Sequence, residues 1–151
     1  MLRQRLNEAL KQAMKARDAR SVSTLRLVLA ALKERDIAAR PRGVADGVDE
    51  AEIVEMLHKM VRQRRESIAL YEQGNRPDLA KAEAEEIAII EAWLPRQMDE
   101  AELAAAVDAV VAELGAASLK DMGRVMAALK ERHAGQMDLA KAGARVKQKL
   151  G

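Results

Sequence analysis

The sequence predicts an all-α protein built as two helical bundles, four helices followed by three. Three observations carry that prediction. Ala, Leu, Glu, Lys, Arg, Gln and Met dominate the composition, Phe is absent, and Tyr71 and Trp93 are the whole aromatic content, so strand formers are few and helix formers abundant. Apolar residues recur at three- and four-residue intervals rather than in alternation. Helix-start and helix-stop residues fall between those periodic runs at ordinary helix lengths.

Leu2, Leu6, Ala9, Leu10 and Ala13 form the first stripe, giving a helix over residues 2–16 with Lys11 and Lys15 on its wet side. A short hinge at residues 17–20 precedes Val22, Leu25, Val28, Leu29 and Leu32, a second helix running to about residue 39 and stopped by Pro41 and Gly43. Residues 40–47 are then a loop. Asp49 is the N-cap of a long third helix with Glu52 as its capping-box partner, and Gly74 and Asn75 end it. Pro77 opens the fourth helix, which stops before Leu94-Pro95.

Pro95 sets the expected division into a four-helix unit, 1–95, and a three-helix unit, 96–151. Asp99 with Glu102 starts the fifth helix, whose stripe is Leu103, Val107, Val110 and Leu114, and Gly115 closes it. Ser118 caps a sixth helix carrying Leu119, Met122, Met126 and Leu129. Gly135 breaks it, and Asp138 caps a seventh with Leu139, Ala142, Val146 and Leu150. Gly123 and Gly143 fall on apolar faces, where a missing side chain would let two helices approach closely.

Charge is unevenly placed. The net formal charge is +2, yet residues 118–151 hold eight Lys and Arg against three acidic residues, and residues 76–117 hold three against ten. The ends are basic and the middle acidic, which permits polyanion binding. The absence of cysteine excludes disulfides, thiolate zinc sites and a cysteine nucleophile, and suits a reducing cytoplasm. No signal peptide or membrane span is expected from the charged N-terminal sequence. No Walker loop, dinucleotide-binding glycine pattern, zinc-ligand spacing or serine triad occurs, so no catalytic residue, metal or cofactor is assigned.

Some charges sit where apolar residues belong. At about 100° per residue Arg64 lies inside the apolar stripe of the third helix, and Glu83 and Glu86 share a face with Leu79 and Ile90 on the fourth. These anomalies explain one another if Arg64 pairs with one or both carboxylates, because an unpaired buried charge is far more costly than a paired one. The chemical alternative is a metal or acid–base site formed by Glu83, Glu86 and His58. His58, Lys59, Arg62 and Arg65 form a small basic patch on the opposite, solvent side of the third helix. A denser cluster occupies the last two helices, with Lys120, Arg124, Lys141, Arg145 and Lys147 as its candidate RNA contacts beside Lys130, Arg132 and Lys149. One Tyr and one Trp make no stacking platform for single-stranded bases, so RNA would be held by its phosphates and shape.

Several blocks in fixed order resemble the GatB/YqeY family, specifically its free-standing YqeY-like members. They include Leu10-Lys11-Gln12-Ala13-Met14-Lys15, Thr24-Leu25-Arg26-Leu27, Lys59-Met60-Val61-Arg62-Gln63-Arg64-Arg65-Glu66-Ser67, Gly74-Asn75-Arg76-Pro77-Asp78-Leu79, Trp93-Leu94-Pro95-Arg96-Gln97-Met98 and Lys120-Asp121-Met122-Gly123-Arg124-Val125-Met126. The resemblance implies the same four-plus-three helix fold. It also implies kinship with the C-terminal tail of the B subunit of the glutamine-dependent Glu-tRNA(Gln)/Asp-tRNA(Asn) amidotransferase, a carbon–nitrogen ligase system in which the tail helps hold tRNA. Similar tails accompany some glutaminyl-tRNA synthetases. The implied role is a non-catalytic accessory that binds tRNA, with an amidotransferase or aminoacyl-tRNA synthetase as a possible protein partner. Residues 134–138 depart from the family pattern in lacking a basic residue after Gly135. Two other classes stay open at this point: a protein-interaction adaptor docking through Trp93-Leu94-Pro95, and a small metal-dependent enzyme using Glu83 and Glu86.

Overall fold

A computed structural model describes all 151 residues as seven α-helices and two short 3-10 turns, with no strand. The chain divides into two compact units, Met1–Trp93 and Leu94–Gly151. The first contains α1 (Leu2–Lys15), α2 (Ala19–Ala39), α3 (Glu50–Gln73) and α4 (Pro77–Glu91); the second contains α5 (Glu100–Leu114), α6 (Met122–Arg132) and α7 (Leu139–Leu150).

Helix ends follow local chemistry. Asp18, Asp49, Asp99 and Asp138 each accept a hydrogen bond from a backbone N–H of the first turn of their helix, satisfying donors that would otherwise lack a partner. At Asp99 the capping box closes both ways with Glu102. At Asp49 it closes one way only, since the Glu52 carboxylate turns to Arg42 at 3.4 Å. Residues 40–47 are not wholly irregular: Arg40–Arg42 forms a 3-10 turn. The left-handed residue after α3 is Asn75, φ 56°, rather than Gly74. Ser118 does not start α6 directly. Leu119–Asp121 is a 3-10 turn, stabilised as the Asp121 carboxylate accepts the Ala117 N–H at 2.9 Å, and α6 begins at Met122.

In the first unit α3 and α4 pack as an antiparallel hairpin, while α2 lies against α1 and α4. Leu6, Val28, Ile53, Leu57 and Ile90 are fully buried there. At roughly 2–3 kcal/mol for each large side chain removed from water, such residues supply the main driving force for folding. The second unit has its own core of Val107, Val110, Val125, Leu129, Met137, Ala142 and Val146. The segment leading into α5 is tied to the α6–α7 loop, because the Met98 N–H donates to the Gln136 carbonyl and the Gln97 amide to the Gly135 carbonyl, both at 2.8 Å.

A polar latch fixes the start of α1 against the loop before α3. Arg3 donates to both oxygens of Asp36, at 2.6 and 3.0 Å, and to the Val48 carbonyl, while the Val48 N–H donates back to Asp36. Gly47 is required here: its φ is +95°, and a Cβ would stand 2.6 Å from an Arg3 nitrogen. The Arg3 guanidinium, with the Val48 N–H, holds the Asp36 carboxyl below the usual carboxylate range. A lowered folded-state value means that this stabilisation is complete above the unfolded value of about 3.9 and is lost as pH falls through the folded one. Asp36→Asn is therefore expected to lower the melting temperature at pH 7, by a difference from the parent protein that shrinks progressively as pH falls below about 3.9, as read by thermal denaturation across that range.

Candidate nucleic-acid interface

The second unit places its cations on the outer surfaces of α6 and α7. The α7 sequence alternates small or apolar residues with Lys and Arg so that Ala142 and Val146 are buried while Lys141, Arg145 and Lys147 are exposed. Lys120, in the 3-10 turn before α6, and Arg124, in the first turn of α6, are exposed as well.

These cations differ in what already neutralises them. Arg124 bonds Asp121 at 2.8 Å, Arg132 bonds Glu113, and Lys149 lies 3.4 Å from Asp108. Bonds from the Ala117 N–H and then from Arg124 hold the Asp121 carboxyl below its ordinary value, and Arg132 does the same for Glu113. Lys120, Lys130, Lys141, Arg145 and Lys147 make no salt bridge. They are the cations that a phosphate can take without displacing a carboxylate.

Their arrangement follows from the helical repeat. Met122 and Met126 of α6 come within 3.7 and 3.8 Å of the position of a Cβ on Gly143, so that side of α7 faces α6. At about 100° per residue Lys147 borders the same side, whereas Lys141 and Arg145 lie on the other flank together with Lys149, which reaches α5. The candidate residues therefore straddle α7, a rod roughly 10–12 Å across. Along the α6–α7 seam, Lys130 and Lys147 flank the exposed small residues Gly123, Ala127, Ala140 and Ala144.

The expected close packing at Gly123 is not found: the residue is exposed and nothing lies within 4 Å of a Cβ added to it. It falls beyond the edge of the arc set by Met122, Val125, Met126 and Leu129. Gly143 does face α6, at ordinary van der Waals distance. Gly123→Ala is expected to stabilise the protein by about 0.5 kcal/mol in urea denaturation, since alanine restricts the unfolded chain without a native clash. A concurrent loss of RNA affinity would show that a ligand backbone approaches this site.

The basic patch expected on the solvent side of α3 does not form. His58 is buried and Arg62 is half-buried; Arg65 is exposed and bonds Glu91 at 2.9 Å. Met56, Leu57, His58, Met60 and Val61 are all buried, so the covered arc at this level of α3 is wider than one stripe.

Inside the first unit, Arg64 Nε donates to Glu86 at 2.8 Å and its Nη1 donates to the Met60 carbonyl at 3.2 Å. Arg20 adds a second cation, 3.9 Å from Glu86 and 3.2 Å from Glu85. Glu83 does not bond Arg64. In the hairpin around Asn75, Arg64 and Glu86 are each eleven residues from the turn and so stand level, while Glu83 is one turn nearer the loop. The alternative metal site loses its geometry, because Glu86 is occupied by arginines and no three His, Asp or Glu side chains converge anywhere in the chain. His133 is half-buried at the end of α6.

A family model described as Yqey-like protein matches residues 3–150. Among curated proteins, the chain is similar to Altered inheritance of mitochondria protein 41, mitochondrial, of Eremothecium gossypii, with 37% identity over 112 residues, covering 72% of this chain and 58% of that protein. It is similar to the protein of the same name from Lachancea thermotolerans, with 33% identity over 111 residues, 72% of this chain and 57% of that one. The Vanderwaltozyma polyspora protein of that name is 35% identical over 89 residues, 59% of this chain and 46% of that one. The chain thus spans about half the length of these relatives.

Proposed function

The chain belongs to the YqeY-like family, part of GatB/YqeY, and from that premise we propose that it is a non-catalytic accessory protein that binds tRNA through its three-helix unit. Lys120, Arg124, Lys141, Arg145 and Lys147 hold the phosphate backbone in this reading, with Lys130 joining them on the α6–α7 seam. One observation carries it: Lys120, Lys130, Lys141, Arg145 and Lys147 are exposed and have no carboxylate partner, within a segment, residues 118–151, that holds eight Lys and Arg against three acidic residues. The sequence resemblance to the amidotransferase tail favours tRNA over other polyanions, and in this reading the protein partner is an amidotransferase or an aminoacyl-tRNA synthetase.

A reducing compartment, cytoplasm or mitochondrial matrix, is the location that goes with this reading. The curated relatives carry a mitochondrial designation in their names, and no helix is long and apolar enough to cross a membrane.

The test is a titration of the purified chain with total tRNA at a series of salt concentrations. Phosphate-dominated binding weakens steeply and linearly on logarithmic axes. Binding independent of salt, or no binding at low salt, would remove the proposal.

A further inference from the structure

An open groove of about 590 Å³ runs along the first unit between α1 and α4, with Leu25 of α2 in its floor. Its walls are Arg5, Ala9 and Ala13 on one side and Ala88, Ala92 and Trp93 on the other. The Arg5 guanidinium lies over the Trp93 ring, 5.2 Å from its centroid, a geometry in which the ring face attracts the cation. Arg5 is exposed and makes no salt bridge, and it is the one charged residue on the lining. Glu50 attracts the Arg5 charge without a direct ion pair and is itself held by the Met1 amine and the Leu2 N–H, while Glu85 is engaged with Arg20 and Glu91 with Arg65.

We propose that this groove docks an amphipathic helix of a partner protein, with an Asp or Glu of that helix placed on Arg5 and its apolar face laid between α1 and α4. Charge complementarity selects the sign: an apolar trough whose one charged side chain is a cation without a direct ion-pair partner favours an acidic guest and leaves a basic one with a desolvated like charge. Shape selects a helix. Ala9 with Ala13 and Ala88 with Ala92 are spaced four residues apart on their walls, the rows into which the ridges of a third helix fit. The distance from Arg5 to Ala13 is roughly 12 Å along α1, two turns of a guest helix. Trp and Arg are also the residue types most often found to dominate the energy of such interfaces.

The test uses the full chain and a phage-displayed library of fourteen-residue amphipathic helices with the polar positions randomised. Because Trp93 is the chain's single tryptophan, its emission and its protection from acrylamide report occupation of the groove directly. Selected peptides are expected to share an Asp or Glu at one register position, to protect Trp93, and to bind at least tenfold more weakly to Arg5→Glu. A peptide with that acid changed to Arg should recover binding to Arg5→Glu. Ala88→Glu, an exposed position on α4 where a good helix former preserves the fold, should weaken binding of the acidic peptides to a similar degree. The proposal is overturned if no peptide is selected, if selected peptides lack a fixed acid, or if neither substitution changes their affinity. It is equally overturned if anilinonaphthalene sulfonate protects Trp93 while no helical peptide does, which would make the groove a small-molecule site.

Discussion

Replacing Lys141, Arg145 and Lys147 together by alanine is expected to lower affinity for total tRNA on the order of 10²-fold near 0.1 M salt, while leaving the melting temperature almost unchanged. All three side chains are exposed and none has a carboxylate partner, so their removal opens no cavity, and alanine suits a helix. Every phosphate that is no longer neutralised takes about 0.7–0.9 off the slope of log K against log salt, so the slope should become shallower by roughly two to three. The position of these residues on both flanks of α7 sharpens the expectation. If the ligand straddles the helix, Lys147→Ala alone and the Lys141/Arg145 double substitution both flatten the slope, the double one about twice as much. If it lies on one flank, one of those variants is silent. Filter binding at several salt concentrations separates the cases.

Glu86→Ala is expected to destabilise the fold by about 2–4 kcal/mol, whereas Glu83→Ala should cost no more than about 0.5 kcal/mol. The Arg64 and Glu86 side chains are 13% and 17% exposed, so removing the carboxylate leaves a largely desolvated guanidinium with the Met60 carbonyl as its remaining hydrogen-bond partner. Breaking such a pair costs far more than the pair contributes relative to a well-packed apolar replacement. Arg20 is also separated from a carboxylate in this variant, yet it keeps Glu85 and is 43% exposed, so its share is small. Glu86→Gln keeps a hydrogen-bond acceptor and should fall between the two. Urea denaturation of the three variants measures the differences. Equal destabilisation by Glu83→Ala and Glu86→Ala would mean that both carboxylates share Arg64.

The helices themselves are legible in the sequence because their ends are written in local chemistry: aspartate caps at 49, 99 and 138, Pro77 in a first turn, and Gly115 in the left-handed position that closes α5. Features joining distant parts of the chain are not. The Arg3–Asp36 latch spans 33 residues, and periodicity gives no reason to match one surface arginine with one surface aspartate. The angle of His58 from Arg64 puts it on the wet face, but an angle locates a side chain relative to its own helix, not relative to what covers that helix. Gly123 lies about 60° beyond Met126, the edge of the apolar arc, so placing it on the packed face overextends the stripe. At the basic site, exposure of Lys141, Arg145 and Lys147 follows from the repeat of α7. Their division between two flanks needs the positions of α5 and α6. The groove beside Trp93 is formed by α1, α2 and α4 together, and no one of their stripes marks it.

Lysine acetylation footprinting of the full chain, with and without total tRNA and at low and high salt, tests tRNA binding by the three-helix unit most directly. Bound tRNA should protect Lys120, Lys130, Lys141 and Lys147 at low salt, with protection lost at high salt, while Lys11, Lys33 and Lys81 of the first unit react equally in all samples. Unchanged reactivity of the three-helix unit's lysines, or protection confined to the first unit, would contradict it.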